Sequence, residues 1–224
     1  MTITAIILSH YKERENNLKR IVDDLLAGTV KPDEIIIFKD NPEITYTDNR
    51  CTIIRSDRQF LPIIRFAIGS ICNTDYCFFI DDDLTVRKHT LENFVQYADE
   101  DTILGLEGNI LAEGDNPYTK GESINRGGRL VTVDIIIRTY FVPVSILAAA
   151  VLLRADHPEL PKQSVDDIFL CLANKLGSNI VIPIDESSNM TELNEGGVGQ
   201  SYAGNHYKNR DEVCRKLMYD SILY

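Results

Sequence analysis

The sequence predicts an α/β protein: an open, mostly parallel central sheet flanked by helices, followed by a smaller mixed region. Three observations carry that expectation. Strand-length apolar runs alternate with stretches of helical periodicity over about residues 1–100. A β-strand, an amphipathic helix and a second β-strand open the chain, and such a unit closes with parallel strands and the helix on one face. A continuous apolar run, Tyr76–Ile80, then ends directly in three aspartates, Asp81-Asp82-Asp83.

Taken in order, Thr2–Leu8 reads as a buried strand that ends in the polar turn Ser9-His10-Tyr11-Lys12. Leu18, Ile21, Val22, Leu25 and Leu26 recur at helical spacing and mark an amphipathic helix closing at Gly28. Pro32-Asp33 breaks the chain before a second strand, Glu34–Phe38, which ends at Lys39-Asp40-Asn41-Pro42. Thr52–Arg55 is a short strand, Phe60–Ile71 has helix-compatible spacing, and Tyr76–Ile80 is a strand. A helix over about Thr90–Ala98 places Leu91, Phe94, Val95 and Ala98 on one face. Ligands of open α/β sheets bind beyond the carboxyl ends of the strands. The turns there are Ser9–Lys12, Lys39–Asn41 and Asp81–Asp83.

The second half is less regular. Thr102–Leu111 and Arg129–Val142 read as strands separated by the loop Gly114–Gly128, and Ile146–Leu153 as another buried strand. Val165, Ile168, Phe169, Leu172 and Leu176 share a helical face, with Gly177 as the stop. Asn179–Ile182 reads as a last short strand. Glu195–Gly204 holds four glycines and is expected to be a mobile segment that closes over a ligand. Asn209 and Glu212 form a capping pattern for a closing helix, about Arg210–Leu223. No repeat or linker interrupts the chain, so residues 1–224 are expected to form one domain with halves at about 1–100 and 101–224.

Composition narrows the classes. The net charge is −11 and the basic residues are scattered, which disfavours nucleic acid as the main partner. No apolar run approaches the roughly 18 residues of a membrane span, and Met1-Thr2-Ile3-Thr4 lacks a basic leader. A soluble, cytoplasmic protein is expected. Five cysteines without CxxC spacing read as reduced thiols rather than a zinc site.

Three adjacent carboxylates raise one another's pKa unless a cation neutralises them. Hard divalent ions suit carboxylate and phosphate oxygens, so Mn2+ or Mg2+ is the expected cofactor. If strand geometry continues, Asp81 and Asp83 point to one side and Asp82 to the other.

This ordered set resembles the GT-A nucleotide-sugar glycosyltransferases, whose signature is an Asp-x-Asp cluster at the end of a Rossmann-like half. The resemblance covers nearly the whole chain. Thr4–Lys12 is similar to the opening strand, Phe78–Asp83 to the metal strand and Val165–Phe169 to the acidic helix start after the acceptor region. Arg58–Ile71 is similar to the Arg-bearing helix, with Arg65 as the counterpart. The family-2 enzymes are closest in flavour, and Val165-Asp166-Asp167-Ile168 is also similar to the exostosin-type transferases.

The resemblance implies a metal-dependent glycosyltransferase, of hexosyl type, moving sugar from a nucleoside-diphosphate sugar, a UDP-sugar foremost. The acceptor would be a hydroxyl on a carbohydrate or another molecule, chosen in the Gly114–Gly128 loop. Ser9, His10, Asp40, Arg65, Asp81 and Asp82 would bind the nucleotide-sugar; Asp83 and His206 would hold the metal. Asp167 would be the general base of an inverting reaction, with Asp166 beside it, or would stabilise sugar charge in a retaining one. Two alternatives stand: a sugar-phosphate nucleotidyltransferase, for which the turn after the first strand lacks a Gly- and Lys/Arg-rich phosphate loop, and a non-catalytic nucleotide-sugar-binding module.

Overall fold

The computed structural model describes residues 1–193 and 204–220. The chain runs β1 (Ile3–Ser9), a single 3-10 turn at Lys12–Arg14, α1 (Asn17–Ala27), β2 (Glu34–Lys39), β3 (Thr52–Arg55), α2 (Ile64–Gly69) and β4 (Tyr76–Asp81). It continues through β5 (Leu84–Val86), α3 (Thr90–Gln96), β6 (Thr102–Gly105), β7 (Glu107–Ile110), β8 (Glu122–Ile124) and β9 (Val131–Thr132). Then come β10 (Ile135–Ile137), β11 (Tyr140–Pro143), α4 (Val144–Asp156), α5 (Asp166–Ala173), β12 (Ser178–Val181), β13 (Met190–Glu192) and α6 (His206–Asp220).

The main sheet has eight strands in the order β3-β2-β1-β4-β11-β6-β12-β9. Strand β1 is buried over its full length because it lies between two parallel neighbours, β2 and β4, and is covered on both faces. Side-chain alternation divides its residues. Ile3, Ala5 and Ile7 pack with Leu18, Ile21, Val22 and Leu25 of α1, while Ile6 and Leu8 join Phe66 of α2. The same alternation sends Phe78 and Ile80 of β4 to the first face and Cys77 and Phe79 to the second. The expected parallel core with helices on both faces is therefore present. Strand β11 enters antiparallel between β4 and β6. A three-stranded sheet, β10-β7-β8, and a two-stranded one, β13-β5, complete the fold. Among the described residues no helix is long and apolar enough to cross a membrane.

Several expectations are corrected. Ile146–Leu153 is not a strand but the middle of α4. A continuous apolar run carries no period; the helix-favouring Ala148-Ala149-Ala150 and the 13-residue length decide the outcome, and Leu152 is left 64% exposed. Thr102–Leu111 divides at Leu106 into β6 and β7, which belong to different sheets. Arg129–Val142 divides into β9, β10 and β11, because the backbone turns at Asp134 and again at Arg138 (φ 68°). Of Phe60–Ile71 only Ile64–Gly69 is α-helix, since Leu61 has φ 73° and Pro62 follows it.

Leu176, expected on a core face, is 98% exposed because α5 already ends at Ala173. Asn174 there donates its side-chain amide to the Asp101 carbonyl, and a Cβ at Gly177 would lie 1.7 Å from that same oxygen. Helix α6 begins at His206, so Asn209 is inside it, with its N–H already bonded to Asn205 O at 2.9 Å. Apart from Gly204, the expected lid at Glu195–Gly204 lies outside the described residues, as does the end of the expected closing helix.

Candidate functional site

The chain leaves β1 for β2 on one side and returns to β4 on the other. The loops after β1 and β4 therefore diverge and leave a crevice at the carboxyl ends of those strands. A cavity of ≈ 410 Å³ opens there. Its wall takes Arg14 from the turn after β1, Asp81–Asp83 from the end of β4, and Asp166 and Asp167 from the start of α5. Arg138, between β10 and β11, and His206 and Arg210 of α6 close the other side. Residues far apart in sequence, from both halves, thus meet in one hollow.

The three aspartates do not alternate as a strand would. β4 stops at Asp81, and Asp82-Asp83 form a turn, so all three face the cavity. Asp81 Oδ1 accepts a 2.8 Å hydrogen bond from Arg65 Nη1. Asp82 is 3% exposed and accepts from Arg14 Nη1 at 3.0 Å and from the His10 N–H at 3.3 Å. Asn17 fixes the turn by donating to the Asp82 carbonyl. Asp83 Oδ2 lies 3.0 Å from Arg14 Nη1, and its Oδ1 lies 3.7 Å from Arg138 Nη2. Burial, followed by the Asp81 charge, pushes the Asp83 carboxyl up to about 6; burial also raises Asp82. Five carboxylates and four guanidiniums line this cavity. Four arginines, of which the sequence pointed only to Arg65, supply most of the neutralising charge that was expected of a metal.

The acidic start of α5 is set by strain and by Arg210. Ser164, just before it, has φ 59°. Arg210, 3% exposed, donates Nη1 to Ser164 O (2.7 Å) and to Asp167 Oδ1 (3.0 Å), and Nη2 to Asp167 Oδ2 (2.5 Å). Both oxygens of Asp167 are therefore taken. Asp166 is held more loosely: its Oδ2 lies 3.4 Å from Arg65 Nε and accepts no hydrogen bond. Burial foremost, with the Asp167 and Asp81 charges opposing the pull of Arg65, lifts Asp166 to about 6.

Arg65 thus bridges the end of β4 to the start of α5. His10 lines the cavity, with Nε2 3.0 Å from the Gln59 amide nitrogen. Ser9 and Asp40 do not line it. Ser9 is wholly buried. Asp40 accepts the N–H groups of Phe60 (2.7 Å) and Leu61 (3.1 Å), which makes it a clamp on the strained segment that leads into α2.

Leu61, Arg138 and Ser164 are the non-glycine residues with positive φ among the described residues. Two of them line the cavity and the third adjoins Pro62, which does. Such strain collects where a surrounding structure fixes a functional geometry.

The fit to a divalent ion rests on two buried atoms without hydrogen-bond partners, Asp83 Oδ1 and His206 Nδ1. Burial also lowers the His206 pKa, which favours the neutral, ligating imidazole. Among the described residues no three metal-ligating side chains are gathered in one group. A cation here would need oxygen ligands from a bound molecule as well, as magnesium sites commonly take them from phosphates. The residues fit such an ion.

Arg14, Arg138 and Arg210 were missed by sequence reasoning. Arg210 had a signal, since it stands one helical turn after His206 and so shares its face. Arg138 is a lone cation between apolar runs and Arg14 stands in the charged stretch Lys12–Glu15, so neither had one.

A family model described as glycosyl transferase family 2 matches residues 5–147. Among solved structures, S. aureus TarS 1-349 in complex with UDP-GlcNAc is similar, with a TM-score of 0.58 and 15% identity, covering 93% of this chain and 64% of that one. Two further structures of S. aureus TarS match with TM-scores of 0.52 and 14% identity. They cover 87% and 86% of this chain, and 37% and 60% of theirs. This chain therefore spans less than two thirds of each. No curated protein matches the sequence.

Proposed function

Because the chain belongs to glycosyl transferase family 2 and has the GT-A fold, we propose that it is a metal-dependent glycosyltransferase acting on a nucleoside-diphosphate sugar. A UDP-sugar is the donor in this reading, by analogy with the UDP-GlcNAc held by the TarS structure. The acceptor is a hydroxyl of a carbohydrate or another molecule. The observation that carries the reading is the convergence of Asp81–Asp83 with Asp166 and Asp167 on one cavity at the topological switch point.

Asp83 and His206 would hold a divalent ion, Mn2+ or Mg2+, which would supply charge neutralisation for the diphosphate leaving group when bound. The chain's own residues do the rest. Arg14 holds Asp82 and Asp83 at a fixed spacing. Arg65 ties the donor side, through Asp81, to the acceptor side, through Asp166.

The base is assigned to Asp166. A carboxylate near 6 takes a proton from an acceptor hydroxyl more readily than an ordinary one, whereas the oxygens of Asp167 are engaged by Arg210. A base on the acceptor side suits a single displacement with inversion, which proton NMR of the product's anomeric centre tests. The same carboxylate favours an enzyme over a non-catalytic binding module.

The metal is tested by titrating UDP into the protein by calorimetry, with and without Mn2+. The expected result is binding that Mn2+ strengthens, with the metal effect lost in Asp83→Ala while circular dichroism is unchanged. Equal affinities in all four titrations would remove the metal from the reading.

A further inference from the structure

Arg138 stands where glycine would be expected. It has φ 68°, and the Thr139 N–H donates across it to Ile137 O at 2.8 Å, the hydrogen bond of a γ-turn. Turns of this positive-φ kind are rare and strained for a residue with a side chain. The strain is imposed by the fold. Ile135–Ile137 pairs with β7 in the small sheet, and Tyr140–Pro143 enters the main sheet beside β4, so the backbone must turn sharply between them. Glycine would meet that need, so the arginine calls for a reason in its side chain.

Its visible ion pair is a weak reason. Nη1 and Nη2 donate to the two oxygens of Glu192 at 3.0 and 2.8 Å, but the Glu192 side chain is 49% exposed and is shared with Arg126. Partly exposed pairs of this kind add little stability, too little to offset a strained backbone. The position of the guanidinium says more. It lines the cavity, 3.7 Å from Asp83 Oδ1, while Arg14 holds the other Asp83 oxygen. Arginine engages phosphate oxygens in paired, charge-assisted hydrogen bonds.

We propose that Arg138 binds the diphosphate of the donor, exchanging Glu192 for phosphate oxygens and stabilising the nucleotide as it departs. This rests on the reading of the cavity as a nucleoside-diphosphate-sugar site. Glu192 is then a placeholder anion that competes with the donor for the same guanidinium.

The test compares UDP with UMP, which lacks the second phosphate, by calorimetry in the presence of Mn2+. Arg138→Gly is expected to weaken UDP binding by about tenfold to a hundredfold and to leave UMP within about twofold. It relieves the strained φ, so its melting temperature is expected to rise by about 2–4 °C. Glu192→Gln is expected to tighten UDP binding, a change that a purely structural ion pair would not produce. Parental UDP affinity in Arg138→Gly overturns the proposal. So does an equal loss for UDP and UMP, a fall in melting temperature, or weaker UDP binding in Glu192→Gln. A parent protein that binds neither nucleotide overturns the reading of the cavity itself, and this inference with it.

Discussion

Asp166→Asn is expected to slow sugar transfer by about a hundredfold or more, the scale of a lost general base, while donor affinity stays within about threefold. The substitution keeps the side-chain shape beside Arg65 but removes the negative charge and, with it, the capacity to take a proton. The sign of the pH dependence follows from the same group. A base works when deprotonated, and burial has raised Asp166 to about 6. The parent rate should therefore climb as pH rises through that region and level off above it, and fall away below it.

Asp167→Asn should act differently. It disturbs the partner of Arg210 rather than the proton acceptor, so its effect falls on stability and on the placing of α5. Single-turnover transfer to a real acceptor is the measurement, because leakage of donor to water does not need the base. If Asp166→Asn transfers at the parental rate and Asp167→Asn is dead, the base is Asp167, as the sequence alone had suggested.

Arg210→Met is expected to destabilise the fold by about 3–5 kcal/mol, read by urea denaturation. The guanidinium is almost fully buried, and it is the group that satisfies both Asp167 oxygens and the carbonyl of the strained Ser164. It also lies 4.0 Å from the centre of the Tyr118 ring. Its loss strands a buried carboxylate, and that desolvation cost, more than the Coulomb attraction itself, sets the size of the effect. Replacing both partners tests the explanation. Arg210→Met with Asp167→Leu should recover most of the loss, since no charge is then left unpaired. A double variant as unstable as the single one would place the cost in packing against Tyr118 instead.

Helix α6 links two parts of the site through neighbouring residues. Arg210 reaches Asp167, while Asp211 accepts the N–H groups of Tyr118 and Thr119, each at 2.9 Å. The Gly114–Gly128 region, in which acceptor choice was expected, is thereby held in register with the acidic start of α5.

How much of this was legible beforehand depends on how local each cause is. Strand β1, helix α1 and strand β4 were readable because their periodicity records which face meets the core. The aspartates at the end of β4 were readable because an apolar strand that runs into charge must emerge from the sheet at that point. Helix α4 was misread because an unbroken apolar run has no period. The lone strand expected over Arg129–Val142 failed for another reason: its turn at Arg138 is forced by pairing with two different sheets, which no short window of residues encodes.

By itself, the sequence determined the parallel α/β core and the clustering of carboxylates at the carboxyl ends of its strands, since both follow from neighbours along the chain. Tertiary structure alone decided which cation faces each carboxylate: Arg14 with Asp82 and Asp83, Arg65 with Asp81 and Asp166, Arg210 with Asp167. Those partners lie between 16 and 101 residues apart along the chain. Charge in a low-dielectric cavity is settled by distance in space, and a linear sequence does not contain it.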